Sequence, residues 1–322
     1  MNGKLCVRVG ILLLLAVIDA FGETKKTKQH IDRSSLFEAL DNGGSVYLCA
    51  ISSHESIASR SNRSVENGKI TLSVSRTLLG PTRKTLTLPY ACATGKARFY
   101  YTWPPITEIG GRPLICVVNT GPGDGSEPTL EGIDESASIV KVLANATDPK
   151  IEEFDAICKL HEQVQTRNVA SALRAALNDN RFDFRNFSLQ AIVSKLGKED
   201  PDGALALLKS QAENWTDSAD TKREAKGLVV YIERRIGMEE PMVETSRFLA
   251  RCLAVLATSP SPNLRECAVS SLAIRLPFMN SQAKFGLLSD LPAAEKAKLI
   301  EILTKEAPVN PNARVILSQL AR

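Results

Sequence analysis

The spacing of apolar residues changes once along this chain, near residue 148, and this change constrains the fold more than any other feature. Between residues 45 and 143 apolar side chains recur at every second position, as Ile70, Leu72 and Val74 do. This alternation is typical of half-buried strands. After Asp148 the apolar residues recur at intervals of three and four, as in amphipathic helices. The sequence therefore predicts a segregated α+β fold, with the strands first and the helices second.

The first part contains several short apolar runs separated by turn residues such as Gly80-Pro81. Pro89 is predicted to end the third strand because proline donates no hydrogen bond to a sheet. We expect a small β barrel or sandwich over residues 45–148, preceded by a short helix over Ser34–Leu40. The predicted strands are Val46–Ile51, Ile70–Val74, Leu86–Leu88, Leu114–Val118 and Ser138–Leu143.

The order and spacing of these strands resemble the oligonucleotide/oligosaccharide-binding (OB) barrel, including its netrin-like version in secreted proteins. The resemblance implies that the helix over Ser34–Leu40 flanks the first strand. Netrin-like metalloproteinase inhibitors act through an N-terminal cysteine, and no cysteine lies near Glu23. The resemblance therefore does not extend to that mechanism of inhibition.

The second part, residues 149–322, is predicted to be entirely helical. Short connections make neighbouring helices antiparallel. Prolines are predicted at the helix edges, where they are tolerated: Pro201, Pro241, Pro260, Pro262, Pro277, Pro292 and Pro311. The predicted helices are Ile151–Val164, Val169–Leu177, Phe184–Leu196, Gly203–Glu213, Asp220–Ile236, Val243–Thr258, Leu264–Leu276, Ala293–Lys305 and Asn312–Ala321.

A helical block recurs within this second part. Asp183–Leu196 aligns with Asn263–Leu276 at an offset of 80 residues, and Arg223–Ile232 lies between them as a third copy. Two copies open with a polar residue, an apolar residue and arginine, whereas the apolar residue is missing before Arg223. This opening resembles that of the second helix in HEAT-type repeats. The resemblance implies a stack of helical hairpins with an extended binding surface, and a non-repetitive helical domain is the alternative.

Three arginines share one position in these copies, namely Arg185, Arg223 and Arg265. Their separations of 38 and 42 residues are close to the length of one helical-hairpin unit. We therefore predict a structural role for all three, in packing or pairing between successive hairpins.

The N-terminus has the pattern of an export signal. Lys4 and Arg8 precede the apolar run Ile11–Ile18, and small residues follow at Ala20 and Gly22. We predict a signal peptide over residues 1–22, a leader and short helix over residues 23–44, and a secreted or periplasmic protein without an integral membrane span after cleavage.

An exported chain permits disulfides, and three cysteines lie in the predicted β domain. We predict a disulfide between Cys49 and either Cys92 or Cys116. The chain contains no C-x-x-C spacing, so neither a zinc ribbon nor a thioredoxin-type site is indicated.

Complete catalytic and cofactor motifs are missing from the sequence. No Gly-x-Ser-x-Gly motif occurs, and His161-Glu162 is followed by Gln165 where a zinc protease has its second ligand. A formal net charge of +4 without a basic stripe excludes a typical nucleic-acid partner. We expect no metal, no cofactor and no enzymatic activity.

The best candidate site in the β domain is an aromatic segment, residues 97–105. It contains Arg98, Tyr100, Tyr101 and Trp103. Either these side chains form a contact platform for a ligand, or the alternate aromatics fill the β-domain core. The sequence leaves both interpretations open.

Three functions follow from these observations. The first is an exported, non-enzymatic binding or scaffold protein that holds a protein or peptide on its stacked helices. The second is a secreted inhibitor or ligand-binding β domain that uses the aromatic segment, with the helices as scaffold. The third, a hydrolase assembled from distant residues, has the least support.

Overall fold

The computed structural model describes residues 36–57, 65–93, 106–119, 139–165, 169–217, 219–238, 243–283, 288 and 291–320. Within these ranges an antiparallel five-stranded sheet in the N-terminal part is followed by helices in the C-terminal part, which confirms the predicted α+β class. The predicted export signal over residues 1–22 lies outside the described residues and stays a prediction.

The sheet has the strand order β3-β2-β1-β4-β5, and all neighbouring strands are antiparallel. The register between β1 and β2 shifts at three points, and such bulges increase the local twist. The elements of this part are α1 (Leu36–Asp41), β1 (Gly44–Ile57), β2 (Val65–Leu79), β3 (Thr85–Ala93), α2 (Ile106–Ile109), β4 (Leu114–Asn119) and β5 (Ile139–Val142).

Both faces of the central strands are buried. Val46 and Ile115 belong to the core that the sheet shares with the helices. Tyr47 and Cys116 point to the opposite face and belong to a second core on the sheet. Because successive side chains in a strand alternate between faces, burial of both faces explains the nearly continuous apolar runs of β1 and β4.

The prediction that Pro89 ends its strand is wrong. Strand β3 continues to Ala93, and Pro89 pairs with Lys69 of β2. Among the described strands β3 lies at the edge of the sheet, where only one of its sides needs hydrogen-bond donors. A proline is tolerated at such an edge.

The helices lie close to the predicted segments. One prediction is wrong: Pro277 lies inside a helix that continues to Ala283, instead of marking its end. The helices are α3 (Lys150–Val164), α4 (Val169–Ala176), α5 (Phe182–Ala191), α6 (Pro201–Glu213), α7 (Ala219–Met238), α8 (Val243–Ala257), α9 (Pro262–Ala283), α10 (Ala293–Glu306) and α11 (Pro311–Leu320). Helix α5 continues through a π-helical turn over Ile192–Leu196 and a last α turn over Gly197–Glu199.

These helices pack in two rows. In one row α7 packs against α5 and α9, and α9 packs against α11. In the other row α8 packs against α6 and α10. A single hydrophobic core connects the rows to the sheet, since Phe37 and Leu143 belong to the same cluster as Phe154 and Phe187. The sheet and the helices therefore bury their apolar faces against each other.

Candidate binding groove between the sheet and the helices

A cavity of about 410 Å³ lies where α1, β5, α5 and α7 meet. This volume is within the usual range of ligand sites. We call it the junction groove. Its charged and polar lining includes Glu38, Asp183, Gln190, Arg223, Lys226 and Tyr231.

A carboxylate from another helix fixes the start of α5 at one end of the groove. Glu153 Oε1 accepts hydrogen bonds from the backbone N–H groups of Asp183 at 2.7 Å and Phe184 at 3.0 Å. Arg181 occupies the N-cap position and makes no side-chain cap. Helix N-termini leave unpaired N–H groups that need such acceptors. Glu153 of α3 therefore supplies a cap that the local sequence lacks.

Asp183 lines the groove, but its charge is already neutralised. Its carboxylate accepts from Lys150 Nζ at 2.9 Å and from Lys141 Nζ at 3.2 Å. Burial raises the pKa of Asp183, but the two ammonium groups outweigh burial, so that this pKa lies below its ordinary value. Asp183 consequently ties β5 and α3 to α5 and stays ionised.

The other acidic side chain of the groove, Glu38, also lies near a cation. Its Oε1 is 3.8 Å from Arg235 Nη1. Arg235 Nη1 also donates to the Tyr231 hydroxyl at 3.2 Å, and that hydroxyl shares a short hydrogen bond with Ser194 Oγ. Burial raises the pKa of Tyr231 to about 12, so the phenol is protonated at neutral pH. Ser194 belongs to the π-helical turn, which thereby reaches the wall of the groove.

Two cations of the groove form no ion pair with the residues that the structure describes. Arg223 and Lys226 are exposed residues of α7, and within the described part of the chain neither forms an ion pair. The Arg223 guanidinium lies 4.8 Å from the centre of the Phe182 ring. This cation–π contact holds the guanidinium in place at the groove without using its N–H groups.

Gln190 contributes a buried acceptor to the same groove. The residue is 4% exposed, and its Oε1 has no hydrogen-bond partner among the described residues. Its Nε2 donates to Asn186 Oδ1 at 3.4 Å. A buried acceptor without a partner costs about 1–3 kcal/mol, so this oxygen would gain from a donor that enters the groove.

The three repeat arginines all contact a neighbouring helix or hairpin, but in different ways. Arg185 stacks over Trp215 at 4.7 Å and lies 3.7 Å from Glu224 of α7. Arg265 donates from Nε to Glu306 of α10 at 2.6 Å. Arg223 instead stacks on the ring of Phe182, in the preceding helix α5, and lines the groove. The sequence signal for this difference was the missing apolar residue before Arg223.

The other predicted site residues are outside the groove or outside the described chain. Arg98, Tyr100, Tyr101 and Trp103 fall outside the described residues, so the aromatic platform stays a prediction. No local sequence pattern marks the groove, because its walls come from α1, β5, α5 and α7, which are far apart in the chain.

The cysteines proposed for a disulfide lie in the sheet. Cys49 and Cys116 are buried free thiols on the same face, diagonal to each other across β1 and β4. The side-chain hydrogen bond between the two thiols, in which the protonated Cys116 is the donor, raises the pKa of Cys116, and burial raises it further. Cys92 falls in β3, and its side chain is outside the described part. The disulfide stays a prediction.

The described residues hold neither a cluster that could bind a metal ion nor a helix that could cross a membrane. No group of three or more His, Cys, Asp or Glu side chains there could hold a metal ion. No helix in the described ranges combines the length and the apolar character that crossing a bilayer requires. The chain matches no known protein family, no curated protein sequence and no solved structure.

Proposed function

We propose that this protein is an exported, non-enzymatic binding protein whose helical array holds a protein or peptide partner at the junction groove. One observation carries the proposal. The groove combines two exposed cations, Arg223 and Lys226, with the unsatisfied buried oxygen of Gln190. Both kinds of group gain free energy from a complementary ligand.

The packing of the helices supports a HEAT-like array as the scaffold of this surface. Polar contacts join equivalent helices of one row at separations near one hairpin: Arg275 Nη2 lies 3.1 Å from Glu233, and Asn312 Nδ2 donates to Ser270 at 3.2 Å. Regular contact between nearest neighbours is typical of helical repeats, and such arrays present extended binding surfaces.

We also propose that the sheet belongs to a small barrel of the OB-like type. The support is the length of β1 and β2, the three register shifts between them, and the second core on the far side of the sheet. Bulges bend long strands, and such bending is needed for closure.

The groove favours binding over acid–base chemistry. Tyr231 is protonated at neutral pH because its pKa is about 12, and it is therefore a poor general base there. Asp183 is held in ion pairs by Lys141 and Lys150, which lower its basicity. Neither group is poised to exchange a proton near neutral pH.

Site-specific photocrosslinking in the native host tests the proposed function. Val230 lines the groove, whereas Lys209 is exposed on α6, in the other row. Benzoylphenylalanine at position 230 should crosslink to a polypeptide partner, identified by mass spectrometry, and the same probe at position 209 should not. Absence of crosslinks at 230, or equal labelling at both positions, would contradict the proposal.

A further inference from the structure

We infer that the junction groove recognises an acidic peptide segment, with a side-chain carboxylate bound by Arg223 and Lys226 and a backbone N–H donated to Gln190 Oε1. The inference rests on the proposed function and names the chemistry of its ligand. Three observations support the inference: the positive charge of the groove, the guanidinium of Arg223 held on Phe182, and the buried oxygen of Gln190.

The balance of charge in the groove calls for an anion. Four basic side chains line it, Lys141, Arg223, Lys226 and Arg234, against the two acidic side chains Glu38 and Asp183. Both acids already lie beside cations, since Asp183 accepts from Lys141 and Lys150 and Glu38 lies 3.8 Å from Arg235. The positive charge of Arg223 and Lys226 is therefore not cancelled by the acids of the groove.

Arg223 and Lys226 are arranged to act on one group. They are three residues apart on α7, so their side chains lie on the same face of the helix. The ring of Phe182 supports the guanidinium plane, and the N–H edge can bind a carboxylate with two parallel hydrogen bonds. Gly227 lines the groove beside Lys226 and carries no side chain that could fill it.

The buried oxygen of Gln190 selects the kind of anion. It is an acceptor, so the ligand must also carry a hydrogen-bond donor. A phosphomonoester dianion presents only acceptors at its phosphate, whereas a peptide with an acidic side chain presents a carboxylate and, close to it, a backbone N–H. A peptide segment therefore satisfies both requirements of the groove.

The direct test is fluorescence anisotropy with a labelled tetraglutamate peptide amide and the full signal-cleaved chain. Tetraglutamate should bind, and tetraglutamine should bind at least about tenfold more weakly. Arg223→Ala should weaken tetraglutamate binding about tenfold, because a charge-assisted hydrogen bond is lost. Lys226→Ala should also weaken it. Lys222→Ala is the matched control, since it removes the same charge from an exposed α7 residue that does not line the groove.

The Gln190 contact is tested with a backbone N-methylated tetraglutamate, which keeps the carboxylates and lacks the N–H groups. It should bind the wild-type chain several-fold more weakly, and Gln190→Leu should reduce this difference between the two peptides. If Gln190→Leu fails to fold, the difference in affinity between the two peptides for the wild-type chain still tests whether a backbone N–H is needed. Inorganic phosphate at equal ionic strength should not displace tetraglutamate; efficient displacement would show a phosphate site and overturn the inference.

Other results also overturn the inference: equal binding of tetraglutamine, no effect of Arg223→Ala, or an equal loss with Lys222→Ala, which would indicate net charge alone. The two proposals fail in different ways. If tetraglutamate does not bind but crosslinks at position 230 persist, the acidic ligand is wrong and the binding function stands. If the crosslinks at position 230 are also absent, both the binding function and the acidic ligand are wrong.

Discussion

At the scale of single residues, His161 is a histidine used for packing. It is 8% exposed, and its ring meets the edge of Phe187 with centroids 6.4 Å apart. In the sequence it is half of an incomplete zinc-protease motif. The structure buries it on α3 with its ring against Phe187 of α5.

We predict that this burial makes stability fall in acid. Burial lowers the pKa of His161, although Asp41 and Glu162 partly oppose the effect and Lys195 reinforces it. The unfolded chain, with an ordinary pKa of about 6.5, binds the proton more readily than the folded chain. Stability is therefore complete above about pH 6.5 and declines as the pH falls towards the lower folded pKa.

Urea denaturation between pH 7.5 and 5 measures this effect. His161→Phe removes the titrating group and keeps an aromatic ring, so its free energy of unfolding should fall less with acid than that of the wild type. Carboxylates remote from position 161 titrate alike in both chains and cancel in the comparison. Parallel pH profiles for the two chains would contradict the prediction.

At the scale of secondary-structure elements, two glycines lie inside helices, where glycine has a low helix propensity, and only one of them has a packing reason. The long helix that begins as α5 has a π-helical turn, and its last turn starts at Gly197. A Cβ at Gly197 would collide with the Phe248 ring, so any larger residue there requires this ring to move. At Gly227 of α7 a Cβ would meet only Asn186 Oδ1, at an ordinary distance of 3.7 Å.

We therefore predict that replacing glycine by alanine has opposite effects on stability at these two positions. Gly197→Ala should destabilise the protein by about 1–3 kcal/mol, because Phe248 must move. Gly227→Ala should stabilise it by about 0.5–1 kcal/mol, because alanine loses less conformational freedom in a helix than glycine. Chemical denaturation of both variants measures the changes, and a stabilising Gly197→Ala would refute the packing argument.

At the scale of the whole molecule, the sheet and the helices share one core. Leu143 follows β5 and is 1% exposed, in the same cluster as Phe154 of α3 and Val46 of β1. The connection is reinforced by Arg76 of β2, whose Nη2 lies 2.8 Å from Asp155 of α3. The change of apolar period near residue 148 thus marks a change of secondary structure inside a continuous core.

We predict that a cavity at this junction weakens both parts together. Leu143→Ala should cost about 2–5 kcal/mol, the usual range for a buried leucine. Hydrogen exchange should then show lower protection in β1 and in α3 alike, because one core supports both. Leu78→Ala, at a half-buried position of β2 packed on the same core, is a milder control. Loss of protection in the sheet alone would indicate independent domains.

The sequence by itself determined the secondary structure, because apolar periodicity is a local property. It placed the helices near their observed bounds and located the strands, although β1, β2 and β3 run several residues beyond the predicted segments. It failed where tertiary context overrides a local rule, at Pro89 on a sheet edge and at Pro277 inside α9. Only the tertiary structure decided the groove. Glu153 caps a helix that starts about 30 positions later, and Arg223 lines the same groove as Lys141 of β5. Such contacts depend on the packing of distant elements, and no local pattern records them.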